Sequence, residues 1–432
     1  MRTLAARATV ALLILGTCSL LVLEIVTNFT VGVLTDERLK FGGETLAAAS
    51  GYYANSPRLL ARLAVLSEEE RDPDRAEKSA LRAVKLSPHN YSYRLLVASI
   101  KASRGDLAEA EECLRAALAL APNKTEVHWQ LANVLLRQGK LQQAVEEFRA
   151  ASVLNPDLLP VSLNLVWRSS NGSTEAVNGV ACGKPAARLA LAQFLLKQGD
   201  VEYAAGVFGQ LETAAQLVSR EAGEFLNALI ATGHLKLARD LWNAATGHDG
   251  KDSPLISNGS FESEIRRDFR QFDWMTYNND YADIRIGRSA ARTGTCSLRI
   301  DFAGRDTTRL DGEITQRLVV SPGERYKLDF YAKADKLTSP EGPRVVVTTA
   351  ASSDWIGVSK PVTAGEAGWQ HLGLEFNAPA AANGQALEVL VTIKRRPKFS
   401  YDGPTRGTVY FDDFVLAEAP ASKEQIASRA QR

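Results

Sequence analysis

The chain has 432 residues, 45% of them hydrophobic and 23% charged, with a formal net charge of +1. That length allows two or three domains with cores of their own, and the near-neutral balance excludes both the basic field of a nucleic-acid binder and a long acidic tail. Cys18, Cys113, Cys182 and Cys296 lie far apart with no CxxC pair or metal-ligand spacing. They read as unpaired and mostly buried, with a Cys182–Cys296 bridge left open.

The first element is apolar. Residues 10–26 read VALLILGTCSLLVLEIV behind Arg2 and Arg7, and extended back to Ala8 the run has 19 residues. At about 1.5 Å rise per residue such a helix crosses a hydrocarbon core, with Glu24 near one end where its carboxylate reaches the interface. A cleavable signal peptide would have a shorter apolar run and a small-residue cut site, and no Ala-x-Ala follows. A lipoprotein reading at Cys18 is opposed by Thr17 before it and by the apolar residues beyond it. Residues 1–34 therefore read as an uncleaved anchor with a cytoplasmic N-terminus, although Arg38 and Lys40 on the far side weaken the charge asymmetry.

Residues 35–250 are helix-rich and periodic. Ala76, Ala110 and Ala144 stand 34 residues apart, as do Ala83, Ala117 and Ala151, and Pro88, Pro122 and Pro156; Gly105 and Gly139 keep the same step. Within 128–156, small Ala132 and Ala144 let two helices approach, and Leu131, Leu135 and Phe148 fill the space between them. Gly139 permits the turn and Pro156 ends the second helix. The period lapses over 157–185, which reads as an irregular insertion. It returns with Gly199 and Gly233, Ala204 and Ala238, and Phe208 and Trp242. This pattern resembles the tetratricopeptide family, with Ala144-x3-Phe148 and the following proline as its best match. The resemblance implies three helix pairs, the insertion and two more pairs, stacked because no pair buries its apolar face alone. It also implies a curved groove that binds a protein partner, for which Tyr93, Arg94, His128, Gln130, Asn133 and Arg137 are candidates. The plainer reading of each is a solvated helix position.

At residues 255–263 the character changes. LISNGSFES places the turn dipeptide Asn258-Gly259 among Leu255, Ile256 and Phe261. Downstream, residues 313–320, 325–335, 344–350, 369–376, 386–394 and 408–416 read as strands. The clearest is 325–335, where Tyr326, Leu328, Phe330 and Ala332 alternate with Lys327, Asp329, Tyr331 and Lys333. Short strands with Gly/Pro turns predict an antiparallel β-sandwich over 254–417, followed by a polar tail, 418–432, that reads as disordered.

Five motifs occur in order: Asn258–Glu262 followed by Trp274, Gly294–Leu298, Pro322–Tyr326, Trp369-Gln370 and Asp412-Asp413. As a set they resemble the carbohydrate-binding modules of the 4/9-like type, which implies a jelly roll and, in many members, a structural calcium. Glu262 with Asp412 or Asp413 would supply its carboxylates, the hard donors calcium prefers. Strand alternation puts the two aspartates on opposite faces, so only one would join Glu262; the bland reading is a turn-capping acid and a solvated pair. Glycan recognition needs aromatic platforms and polar side chains on an open face. The candidates are Tyr277, Asn278, Asn279, Tyr281, Trp355, Phe399 and Tyr401, while Trp274 and Trp369 read as core. Arg395, Arg396 and Lys398 would favour an anionic polysaccharide, or form a solvated edge.

No HExxH, GxSxG, Walker loop or GxGxxG appears, and the five histidines lack metal spacing, so no enzyme is expected. The fold class is multidomain α + β: an N-terminal membrane helix, an α-helical tetratricopeptide solenoid and a C-terminal antiparallel β-sandwich (jelly roll). The combined expectation is a single-pass scaffold of a bacterial inner membrane, its bulk periplasmic. It would bind protein through the repeats and glycan through the sandwich, in polysaccharide assembly or export. Alternatives are a protein-assembly adaptor whose sandwich is purely structural, and an accessory subunit of a carbohydrate-active enzyme.

Overall fold

The computed structural model describes residues 2–420 except 37, 40, 182, 212–218, 249–253, 306–308, 340, 351, 353, 365–367, 382–384 and 397–403. The chain divides into two compact units, residues 1–191 and 192–432.

In the first unit, α1 (Arg2–Leu34) is one continuous helix. Its stretch Ile14–Leu34, 21 residues of mean hydropathy 1.8, is long and apolar enough to cross a membrane. Near its end Val31 packs with Leu46 of α2 (Gly43–Tyr52) and with Leu59 and Leu63 of α3 (Pro57–Glu69). Leu20, Leu23, Ile25 and Phe29 stay exposed, at 64–72% of their surface. An apolar surface of that extent is unfavourable in water and calls for lipid or another apolar cover.

Three helix pairs follow: α3 with α4 (Pro73–Leu86), α5 (Tyr91–Arg104) with α6 (Leu107–Leu120), and α7 (Thr125–Arg137) with α8 (Leu141–Leu154). The periodic alanines Ala76, Ala110, Ala144, Ala83, Ala117 and Ala151 are all fully buried. A larger side chain there would force the helices apart. Gly105 and Gly139, with φ of 94° and 76°, make the left-handed turns out of α5 and α7, a conformation a Cβ opposes.

The insertion expected to be irregular over 157–185 is instead mostly helical. A 3-10 turn, Pro156–Leu158, leads into α9 (Leu159–Ser169) and α10 (Thr174–Val180), which pack on α8. Asn171 and Gly172 take left-handed φ values of 53° and 82° between them, and the Ser173 hydroxyl caps α10 by accepting from the Ala176 N–H. The second helix is only 7 residues long, so the 34-residue step fails although the helix pair persists. Gly179 permits its approach, since a Cβ there would lie 2.8 Å from Val145.

α11 (Pro185–Gln198) runs through the division between the units. The second unit continues with α12 (Val201–Gly209), α13 (Arg220–Ala231) and α14 (Leu235–Thr246). Among the described residues ten strands then form the sandwich: β1 (Trp274–Thr276), β2 (Ala282–Gly287), β3 (Ser297–Ala303), β4 (Ile314–Val320), β5 (Arg325–Asp335), β6 (Arg344–Thr349), β7 (Trp355–Val358), β8 (Gln370–Asn377), β9 (Leu387–Lys394) and β10 (Arg406–Glu418). The first sheet has the order β1-β4-β9-β6-β7 and the second β2-β3-β10-β5-β8, with antiparallel pairing throughout. On β5, Tyr326, Leu328, Phe330 and Ala332 are all buried between the sheets, as their alternation predicts. Trp274 is fully buried with them; Trp369, also read as core, is only half-buried.

Helices and sandwich share a buried joint inside this unit. The Trp242 indole of α14 donates to the Phe269 carbonyl at 3.1 Å and meets the Phe272 ring edge-on at 6.0 Å. Arg239, one turn earlier, lies 5.2 Å from the Trp242 ring and 5.3 Å from Phe272, and donates to the Pro254 carbonyl at 2.9 Å. Burial draws its guanidinium down to about 10. Gln271 donates to the Gly223 carbonyl of α13 at 3.1 Å, and a Cβ on Gly223 would sit 2.1 Å from the Asp268 carbonyl oxygen.

The cysteines are free at positions 18, 113 and 296, Cys18 exposed and the other two half-buried rather than buried. Cys296 therefore carries no bridge; Cys182 lies outside the described residues, as do Phe399, Tyr401, Lys398 and most of the polar tail.

Candidate functional site

The nonapeptide LISNGSFES forms a turn rather than a strand, and it knots the sandwich at its entry. Asn258 and Phe261 both have left-handed φ, 49° and 56°. Asn258 holds the turn by donating to the Ser263 carbonyl and accepting from the Ser263 N–H. Gly259 accepts from the Phe414 N–H at 2.9 Å, an approach so close that a Cβ would lie 2.1 Å from the Phe414 carbonyl oxygen. Phe261, Trp274 and Phe414 then meet with ring centroids 5.0–6.0 Å apart. Asp273 beside this cluster is pushed up to about 6 by burial, against the bonds it accepts from Trp274 and Asn258.

The three proposed calcium carboxylates do not form a cation cage. Glu262 accepts from the Thr295 and Cys296 N–H groups, both at 2.7 Å, and from the Thr295 hydroxyl at 2.9 Å. The Cys296 and Thr295 amides hold it below the usual carboxylate range. Asp412 accepts from the Arg292 N–H at 2.7 Å and the Asp413 N–H at 2.8 Å, while burial pushes its carboxyl up. Asp413 takes the Arg292 guanidinium at 2.7 Å and the Thr293 hydroxyl at 2.5 Å. All three thus clamp one loop, residues 292–296, and a guanidinium supplies the positive charge. The expectation that the two aspartates face opposite ways fails because β10 is bulged between Asp412 and Val415, with Asp413 at φ 50°. Among the described residues, no three His, Cys, Asp or Glu side chains are grouped to hold a metal.

The glycan candidates occupy two separate places. Tyr277 and Tyr281, 51% and 38% exposed, lie beyond β1 and before β2. Arg270 donates to the Tyr277 hydroxyl at 3.0 Å with its guanidinium over the ring. Asn278 and Asn279 are committed to the loop: Asn278 accepts from the Ile284 N–H, and Asn279 accepts from the Tyr281 and Ala282 N–H groups while donating to Glu313. Trp355, 45% exposed, begins β7 at the other edge of the first sheet. It pairs with Thr348, whose neighbour Val347 points into the core, so the indole lies on the outer face. Lys394 and Arg396 approach its ring to 6.0 and 5.6 Å. Arg395, expected at this edge, is instead 1% exposed and donates to the Ser339 hydroxyl at 2.7 Å. Its strand neighbour Lys394 takes the outward place, because alternation turns Ile393 and Arg395 the other way.

Of the residues expected to line a groove, Arg94 and His128, one repeat apart, hydrogen-bond within the repeats. Both reach back to the carbonyl of the proline before their helix: Arg94 Nη2 to Pro88 at 3.1 Å, His128 Nε2 to Pro122 at 2.8 Å. His128 Nδ1 also lies 2.6 Å from Glu147. Asn133 donates to Trp129 in its own helix at 2.8 Å. Gln130 and Tyr93 are half-buried, and burial pushes the Tyr93 phenol up; Arg137 is exposed.

Residues 61–125 and 101–160 match models of the tetratricopeptide repeat, and residues 253–398 match the model of a carbohydrate-binding domain. The resemblances carried by the Ala/Gly/Pro spacing and by the five sandwich motifs are thereby shown, and both are non-catalytic kinds of domain. Among solved structures, MamA from Desulfovibrio magneticus is 16% identical, with a TM-score of 0.27, over 39% of this chain and 80% of its own. A family 16 carbohydrate-binding module is 20% identical, with a TM-score of 0.25, over 38% of this chain and 99% of its own. The first tetratricopeptide domain of Spaghetti, bound to an HSP90 peptide, is 18% identical, with a TM-score of 0.26, over 27% of this chain and 93% of its own. No curated protein matches the chain.

Proposed function

We propose that this chain is a membrane-tethered, non-enzymatic scaffold that holds a protein partner on its helical repeats and a glycan on its sandwich. The observation that carries the glycan half is Trp355, an indole left 45% exposed on a domain whose sequence matches a carbohydrate-binding model. An exposed indole offers a flat apolar surface to a sugar ring. The exposed face of α1 supports the tether, and Val31, packed on the first repeats, would keep those repeats against the bilayer surface. The proposed place of action is the periplasmic side of a bacterial inner membrane, in polysaccharide assembly or export. Here calcium is assigned no part in the clamp of loop 292–296.

One observation favours a second reading, a protein-assembly adaptor with a structural sandwich. The exposed aromatics are dispersed: Tyr277 and Trp355 stand at opposite edges of a five-stranded sheet, roughly 19 Å apart at the usual strand spacing. A glycan array with the full chain in detergent, with and without calcium and beside Trp355→Ala, decides. Specific binding lost in the variant supports the glycan scaffold, and a folded protein that binds nothing leaves the adaptor.

A further inference from the structure

We infer that the outer face of the first sheet, at Trp355, is a subsite for an acidic glycan, one whose sugars carry carboxylates. This rests on the glycan-binding reading and names its substrate class.

Charge pairing on that face supplies the reasoning. Arg317 is joined to Glu388 at 2.6 Å, Arg344 to Glu341 at 2.7 Å and Arg396 to Asp311 at 3.1 Å. The Thr315 and Thr392 hydroxyls bond each other at 3.2 Å. Lys394 has no carboxylate partner among the described residues; its contact is the Trp355 ring, 6.0 Å from Nζ. An ammonium over an exposed indole at that distance adds only a modest cation–π attraction, about 0.5–1 kcal/mol. That leaves three N–H donors free for an acceptor. A sugar stacked on the exposed part of the indole brings its ring substituents close to the ammonium, where a uronate carboxylate would meet Lys394. Arg396 also lies over the ring, 5.6 Å from its centroid, so its charge reinforces the field while its bond to Asp311 holds it in place. A neutral glycan would use the indole and offer the ammonium only hydroxyl oxygens, without the charge-assisted bond a carboxylate gives.

The test uses the full chain in detergent micelles. The probes are oligomers of galacturonate, glucuronate and mannuronate, each beside its carboxyl-reduced, neutral counterpart of equal length. Affinity is measured at low and at high salt for wild type, Lys394→Met, Trp355→Ala and, as a control on the other sheet, Asp301→Asn, with melting curves showing that each is folded. At least one uronate oligomer is expected to bind about tenfold more tightly than its reduced counterpart, as a charged hydrogen bond would give. Salt and Lys394→Met should each remove most of that preference, Trp355→Ala should weaken both members of the pair, and Asp301→Asn should change neither. Equal binding of acidic and reduced oligomers, or a preference that survives Lys394→Met, overturns the acidic subsite and leaves the glycan scaffold standing. No binding of any probe by folded wild type overturns the acidic subsite, and the array above then judges the scaffold separately.

Discussion

The two sheets of the sandwich present outer faces of different kinds. On the second sheet many charges are answered by a neighbour: Asp301 accepts from Arg285, Arg299 and Thr408, Asp329 takes Lys327 and His371, and Glu375 takes Arg325; Lys333 has no carboxylate partner among the described residues and no ring beside it. Burial pushes the Asp301 carboxyl up, yet the bonds from Arg299, Thr408 and Arg285 outweigh it and hold it below the usual range. Even the aromatic Tyr331 lies under the Arg292 guanidinium and against His371. The first sheet instead leaves an indole 45% exposed, with the Lys394 ammonium over it and no carboxylate partner for that ammonium among the described residues. A face whose groups satisfy one another has little to offer a ligand, whereas uncommitted groups on a rigid sheet are already desolvated in part and oriented. On the proposed reading, closure marks where this domain is held together, and openness marks the place proposed for binding. Perturbing the closed parts should change stability and leave glycan binding at Trp355 intact.

The largest such effect is expected at the joint with the helices. Trp242→Ala removes a side chain only 3% exposed, together with its bond to the Phe269 carbonyl. Truncating a buried tryptophan costs about 3–5 kcal/mol. Because α14 and the sandwich share that core, a single denaturation transition covering both should move to lower denaturant. A sandwich transition that stays in place would mean the helices are not part of its fold.

Asp273 gives a pH handle on the same region. Burial raises its folded pKa from 3.8 to about 6. A raised carboxyl binds its proton more tightly in the folded state, so its contribution is fully present below about pH 4 and is lost as pH rises through about 6. The difference amounts to roughly 3 kcal/mol at most. Asp273→Asn keeps an acceptor for the Trp274 N–H and removes the titration. The variant should be more stable than wild type at pH 7, with the gap closing as pH falls to 4. A gap independent of pH would show that Asp273 titrates normally.

Much of the helical half was legible because its signals are local and repeated. Alanine, glycine and proline each recur at the contact, turn and stop they serve, so one good copy, 128–156, explains the others. The strands with strict alternation, such as 325–335, were equally plain. Three features were not. The shortened pair α9/α10 lost the 34-residue step, and spacing was the only signal being read, although Ser173 after Asn171-Gly172 is a helix-capping sequence. β7 has four residues and no alternation of its own, so Trp355 could be named without its face being known. The joint depends on Arg239 and Gly223 meeting residues around 254–271, and a buried arginine between two rings has no sequence period. At the candidate site, the motif residues Glu262, Asp412 and Asp413 meet on one loop, 292–296; the bulge at Asp413 breaks the period-2 rule that set the two aspartates apart, and Arg292, just before the Gly294–Leu298 motif, lies in no motif itself.

The smallest effect, and the one that most sharpens the contrast between closed and open faces, concerns that loop. Arg292 belongs to the closed face through Tyr331 and to the clamp through Asp413. If its guanidinium does the work of a cation, calcium has no group of carboxylates left to recruit. The melting temperature of the wild-type chain should then be the same in calcium and in chelator. Arg292→Gln should melt measurably lower, because it leaves Asp413 and the buried Asp412 as close like charges with their main counter-charge gone. Glycan binding at Trp355 should be unchanged in that variant at temperatures below its transition. A calcium-dependent rise in wild-type melting would return the carboxylates to a metal and reduce Arg292 to a surface ion pair, whose loss is typically worth under about 1 kcal/mol in exposed pairs. A loss of glycan binding in Arg292→Gln would instead tie the two faces together and remove the separation between holding and binding.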